Sequence, residues 1–294
     1  MNAIKLKREY ILPSILFLMP TLILVTLIIV VPIGLAFNTS LRHTTYANVG
    51  KFIGLTHYKT ILGSKDGWSA IGNSITYVVF SLLVVVPTGI IVGVLLNRKI
   101  KARVLFRTIL VIPWVLSQTV TALLWKWVLN SNFGPIVLWW QQLTGSLMDF
   151  FNSELASRGT VISANAWNTY PIIVIITLAA LQVIPEELYE AAKVDGASRT
   201  SIFWRITLPL LIPSVSTIII MQSIEYFNMV TLIYVLTAGG PFGATTTLSV
   251  RAFKTGFDFW HIGLGSAYSF VIFIVNIFFS IIYVRAIRGK EDEK

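Results

Sequence analysis

Six apolar runs, each long enough to cross a lipid bilayer, leave this chain little choice of architecture. A helix needs about 20 residues at about 1.5 Å each to span the hydrocarbon core. The runs fall near residues 11–37, 71–97, 105–129, 161–184, 207–236 and 264–287. Lipid offers backbone amides no partner, and the runs lack the period-two alternation of a membrane barrel, so each is predicted to be an α-helix. With 55% hydrophobic and only 12% charged residues, the chain could not cover a soluble surface with polar groups. The expectation is one all-α transmembrane domain over residues 1–294, with no separate soluble domain.

The basic residues explain themselves by position. Placing the N-terminus inside puts fifteen Lys and Arg on the cytoplasmic side, among them Lys5, Lys7, Arg8, Lys99, Arg103, Arg107 and Lys294, and leaves eight outside. Both termini are therefore expected in the cytoplasm. The net charge of +10 reflects topology, because the basic residues flank apolar runs instead of forming one patch for nucleic acid. The first run is much longer than the usual apolar part of a secretory signal, about 7 to 15 residues, and is expected to stay in the mature protein. With no cysteine, disulfides and thiolate nucleophiles are excluded. His43, His57 and His261 all fall in outer loops and read as surface residues, and no paired acid–base or metal spacing lies inside one span, which argues against an enzyme. Residues 135–143 suit a short helix lying on the membrane surface. Gly89 and Gly93 are spaced to let a neighbouring helix approach closely.

The connection between the fourth and fifth runs, residues 186–209, carries the most information. Pro185, Glu186, Glu187 and Glu190 mark a helix start, with carboxylates at the positive end of its dipole. Ala191 and Ala192 keep one face almost free of side chain, so a partner can approach closely. Gly196 permits a tight left-handed turn, and Ser198 can cap a second short helix carrying Ile202, Phe203 and Ile206. That helix is expected to end as Leu208-Pro209 opens the fifth span.

Glu190-Ala191-Ala192, three residues, Gly196, nine residues, then Ile206-Thr207-Leu208-Pro209 resembles the cytoplasmic motif of permease subunits of binding-protein-dependent ABC importers. A second resemblance, Leu236-Thr237-Ala238-Gly239-Gly240-Pro241 followed by Thr245-Thr246-Thr247-Leu248, is similar to sugar permeases of the maltose and glycerol-3-phosphate type. The resemblance covers essentially the whole chain and implies six spans in the type I importer architecture of a bacterial or archaeal cytoplasmic membrane. It implies that Glu190, Ala191, Ala192, Asp195, Gly196, Ile206, Leu208 and Pro209 form a coupling segment docking into an ATP-binding subunit. The implied partners are a second, unlike permease, two ATP-binding subunits and an extracytoplasmic solute-binding protein, all around the lipid bilayer and without nucleic acid. This chain has no Gly-x-x-x-x-Gly-Lys-Ser/Thr loop, so it binds no nucleotide cofactor of its own, and ATP and Mg belong to the partner subunits.

Glu225 is the one carboxylate deep inside a span, where insertion costs roughly 2.5 to 3.5 kcal/mol unless it faces water or a partner. Gln222, Glu225, Tyr226 and Met229 share three- and four-residue spacings, and Asn228 lies beside them. With Asn168 and Tyr170 of span four and Gln118 of span three, they form the expected substrate path. Amides, a carboxylate and aromatic rings suit a sugar, and an ionised Glu225 disfavours an anionic one such as a sugar phosphate. The competing reading, an ATP-independent carrier or channel with Glu225 as an ion relay, leaves the 186–209 segment without a purpose.

Overall fold

The computed structural model describes residues 8–46, 48–98 and 101–291; Lys5, Lys7, Lys99 and Lys294 of the basic tally lie outside the described residues. The chain is helical throughout, with only isolated β-bridges among the described residues. In order, α1 (Arg8–Val25), a π-turn (Thr26–Val30) and α2 (Val31–Ser40) form the first span, followed by α3 (Thr56–Gly63) and the long α4 (Lys65–Asn97). Next come α5 (Arg103–Val115), α6 (Gln118–Val128), α7 (Pro135–Thr144), α8 (Glu154–Val183), α9 (Glu186–Val194) and α10 (Arg199–Ile202). A second π-turn (Phe203–Thr207) leads into α11 (Leu208–Phe227), then α12 (Thr231–Thr237), α13 (Leu248–Phe253), a third π-turn (Lys254–Asp258) and α14 (Ile262–Glu291).

Helices in lipid gain little from hiding apolar surface from one another, so their association rests on close packing and interhelical polar bonds. The α4–α8 pair at the centre follows this rule. A methyl group at Gly89 would strike Ile173, and one at Gly93 would come within 2.8 Å of Thr177 Cγ2. Val85, Ile173 and Ile218 then interlock α4, α8 and α11. By contrast, the first span is exposed from Ile15 to Pro32 and, among the described residues, meets the bundle only toward its end, through contacts such as the Phe37–Phe270 ring pair at 4.7 Å.

Two expected spans differ from straight helices. The third, expected over 105–129, is two helices, α5 and α6, meeting at 98°. Pro113 removes a backbone donor near the end of α5, and Ser117 restarts the chain as the N-cap of α6, accepting from Val120 N at 3.3 Å. Asn168 Nδ2 of α8 ties the bend together, donating to Pro113 O (2.7 Å), Leu116 O (3.3 Å) and Thr121 Oγ1 (3.1 Å). The fifth span, expected to run to 236, stops as α11 at Phe227. Asn228 Nδ2 donates to Ile224 O at 2.7 Å, and Ser249 Oγ of α13 donates to Met229 O at 2.7 Å, so these two carbonyls keep a partner at the break.

Candidate functional site

The 186–209 segment folds by local rules. Ile184 is extended ahead of Pro185, as residues before proline are, and α8 ends there. Glu186 and Glu187 sit at the start of α9 and Lys193 in its last turn, both favourable to the helix dipole. Its end is a Schellman turn: Gly196 N donates to Lys193 O at 3.1 Å and Ala197 N to Ala192 O at 2.9 Å, with Gly196 at φ +75°. A Cβ on Gly196 would meet nothing, so the glycine is required by conformation and not by space.

Ser198 caps α10, accepting from Ser201 N at 3.2 Å. The expected second helix is not a separate element. α10 passes through the π-turn 203–207 into α11 as one helix over Arg199–Phe227. Pro209 supplies the reason for the widened turn, because its ring would crowd the carbonyl four residues back in a regular α-helix.

Glu190, Ala191, Asp195 and Pro209 are exposed; Ala192, Ile206 and Leu208 are half-buried. No side chain of α9 is buried, and among the described residues one side-chain bond ties it to the bundle, Thr207 Oγ1 donating to Tyr189 Oη at 3.4 Å. Leu188 and Val194 stand 44% and 87% exposed on either side of Ala191 at three-residue steps, an apolar stripe open to solvent. Leu188 and Val194 thus extend the close-docking face expected of the alanines, and their three-residue spacing from Ala191 is its signal in the sequence.

The expected polar lining divides in two. Tyr226 is 1% exposed, its hydroxyl bonded to Thr169 Oγ1 (2.8 Å) and accepting from Gln222 Nε2 (3.2 Å), with Tyr77 edge-on at 6.0 Å. Gln222, Tyr226 and Asn168 thus spend their polar atoms inside the bundle. Tyr170 and Gln118 are half-buried. Glu225 and Asn228 turn the other way and are exposed in the single chain, joined by Asn276 of α14, whose Nδ2 donates to Asn228 Oδ1 at 3.4 Å. Beside Asn228 lies a cavity of about 380 Å³ with Ser249, Ser266 and Ser269 on its walls together with Phe253 and Phe257.

The far end of the bundle is tightly knit. The Gly-rich loop 238–247 is braced by Asn73 Nδ2, which donates to Gly243 O (2.9 Å) and Thr246 O (3.1 Å), and by Arg158 Nε, which donates to Ala244 O at 3.0 Å. Arg158 Nη2 also donates to Asn73 Oδ1 at 3.1 Å. Gly239 adopts φ +87° against Thr246, whose Oγ1 donates to Gly239 O at 3.0 Å. Phe242, at φ +51°, stands at the tip, 95% exposed. The three histidines, far apart in sequence, gather nearby: the rings of His43 and His57 lie 6.5 Å apart, and His57 Nε2 bonds Arg42 O at 3.1 Å. Burial, with smaller contributions from His43 and His261, lowers the His57 pKa from its ordinary 6.5. Among the described residues no three His, Asp or Glu side chains are placed to hold a metal ion.

Against known proteins, residues 85–290 match the family model described as binding-protein-dependent transport system inner membrane component. The trehalose/maltose transport system permease protein MalF of Thermococcus litoralis is 32% identical over 279 residues, 94% of this chain and 94% of that protein. The sulfoquinovosyl glycerol transport system permease protein SmoG of Agrobacterium fabrum is 30% identical over 280 residues, 95% of this chain and 91% of its own length. In fold, the chain is similar to one in the crystal structure of a bacterial alginate ABC transporter in complex with an alginate pentasaccharide-bound periplasmic protein. That match has a TM-score of 0.78 at 24% identity and covers 94% of this chain and 93% of the other.

Proposed function

The chain belongs to the family of binding-protein-dependent transport system inner membrane components, and from that premise we propose that it forms half of the translocation path of an ATP-driven carbohydrate importer. A second, unlike permease supplies the other half. Two ATP-binding subunits, which carry ATP and Mg, dock on the cytoplasmic side, and a solute-binding protein delivers sugar from outside. Both termini and α9 then face the cytoplasm, in keeping with the excess of Lys and Arg there.

The observation that supports this reading best is α9: a helix with no buried side chain, ended by a Schellman turn and offering Leu188, Ala191 and Val194 to a partner. A single chain gains nothing from exposing such a stripe, whereas an ATP-binding subunit closing on it would convert hydrolysis into motion of α9 and α10. An ATP-independent carrier leaves the stripe without use.

Glu225, Asn228 and Asn276 form the sugar-facing group. They are polar side chains at the end of α11 and on α14 with room for a ligand in the single chain, and amides and a carboxylate can pair with hydroxyls. Repulsion between an ionised Glu225 and an anion favours a neutral sugar, in line with the relative named for trehalose and maltose and against the one named for sulfoquinovosyl glycerol. Gln222, Tyr226 and Asn168 act as the scaffold behind that face.

The test is uptake of radiolabelled sugar by proteoliposomes holding the assembled transporter, with and without ATP. Glu225→Gln together with Asn228→Ala is expected to cut uptake about tenfold, the loss of roughly one good hydrogen bond to a charged group, while assembly persists. Uptake that needs no ATP would sink the importer reading. Acidic sugars competing better than neutral ones would sink the substrate assignment.

A further inference from the structure

The groove between α5 and α8 carries chemistry that sugar transport does not use. It holds about 240 Å³ and runs along α8 from Gln182, at the end next to α9, to Pro171 in the middle of that helix. Eleven helical steps at about 1.5 Å each make it roughly 16 Å long. Its walls are apolar, with Leu110 and Val111 from α5 facing Val174 and Leu178 from α8. Its polar end is Arg107, on the same side of the bundle as Gln182.

Nε and Nη2 of Arg107, and Nε of Arg103 one turn earlier, are shut off from solvent with no hydrogen-bond partner among the described residues. A guanidinium keeps its charge and its five donors at any physiological pH, so leaving it unpaired at the edge of the hydrocarbon is expensive. The positive end of the α5 dipole adds to the same field, because Ala102 at the N-cap offers no side-chain acceptor. The outer surface of α5 beyond the groove is apolar, with Val104, Leu105 and Ile112 exposed, which suits acyl chains and not a soluble partner.

A cationic, donor-rich head above a long apolar slot is the shape of a phospholipid site. We infer that this groove binds one anionic phospholipid of the leaflet on the α9 side, its phosphate on Arg107 and Arg103 and one acyl chain lying along α8 toward Pro171. The inference rests on the chain being a membrane permease, and not on the identity of its sugar. A zwitterionic lipid brings its own cation to the phosphate and competes less well for two arginines.

The assembled transporter, reconstituted in nanodiscs of phosphatidylcholine alone or mixed with equal parts phosphatidylglycerol, tests this by native mass spectrometry. The wild type should retain one phosphatidylglycerol per copy of this chain that phosphatidylcholine does not replace. Retention should fall at least tenfold in Arg107→Gln. It should fall similarly in Ala179→Phe, which fills the slot from an exposed position and leaves both arginines intact. Equal retention by wild type and both variants would overturn the site. So would Arg107→Gln releasing a partner subunit with lipid retention unchanged, since the arginine would then serve a protein carboxylate. Should Arg107→Gln fail to fold, Ala179→Phe alone decides. Retention is read as mass, so a transporter inactive toward every sugar tried would still give the lipid result.

Discussion

The loop 238–247 and α9 are segments of similar length at opposite ends of the bundle, and they are held in opposite ways. The loop has its backbone carbonyls taken up by Asn73, Arg158 and its own threonines. α9 has regular hydrogen bonds, a fixed C-terminal turn and a single side-chain tie to the rest of the molecule among the described residues. The first is finished by contacts within the chain. The second is internally rigid yet unattached, as half of an interface should be. On the proposed reading stability and coupling are vested in different ends, and mutations should separate them.

The largest effect is expected at Gly196. A β-branched residue at φ +75° is strained by about 1 to 2 kcal/mol, so Gly196→Val should unmake the Schellman turn and lower sugar-stimulated ATPase about tenfold or more. The thermal midpoint should hardly move. Gly196→Asn, which tolerates the left-handed conformation, should keep most of the coupling, and equal damage from both would show that the turn is not the cause.

Arg158→Leu should do the reverse. It strips Ala244 O and Asn73 Oδ1 of a donor, at about 1 to 3 kcal/mol for buried groups left unpaired, and should lower the thermal midpoint while ATPase per folded transporter stays normal. A coupling defect at a temperature where the variant is fully folded would break the division between the two ends. Tyr189→Phe sharpens it from the other side. Losing the one long bond to Thr207 should cost about 0.5 to 1.5 kcal/mol locally, visible as faster amide exchange confined to α9.

The smallest effect is in the histidine cluster. The His57 pKa is lowered in the folded chain, chiefly by burial, so the unfolded state binds its proton first as pH falls. The contribution is complete above the ordinary value of 6.5 and is lost as pH drops below it through the folded value. Acid should accelerate exchange of His43 N, which donates to Lys51 O, and leave α9 unaffected. His57→Gln should abolish that dependence.

Spans and turns are legible in the sequence to different degrees, for physical reasons. Apolar runs announce themselves because every lipid-facing turn must be apolar, and Gly89 and Gly93 announce a close approach by having no side chain. The 98° bend in span three is signalled only weakly, by Pro113 with Ser117 four residues on, since proline kinks helices far more often than it turns them back. The end of α11 rests on the Asn228 side chain and on Ser249, which bonds Met229 O from 20 residues away, a partner that no local pattern reveals. The polar face of α11 reads from spacing as one set. Which members face inward depends on Thr169 meeting Tyr226, a tertiary fact, so spacing alone points to Gln222 as lining and gives no sign of Asn276. The turn at Gly196 and the cap at Ser198 are legible because their chemistry is local. The continuity of α10 into α11 is not, because nothing in Pro209 alone says whether a helix begins or merely widens.

That continuity makes the shaft a lever. From Arg199 to Glu225 the helix is unbroken, and Glu225 lies 7 to 14 residues beyond Ile218 and Leu211, about 10 to 21 Å at about 1.5 Å each, so a tilt of about 5° around that grip moves the carboxylate by about 1 to 2 Å. The fulcrum is wherever α4 and α8 grip the shaft at Leu211 and Ile218. On the proposed reading, a lever held there carries a stroke at α10 to Glu225 as a shift of about 1 to 2 Å, enough to make or break a hydrogen bond to a sugar.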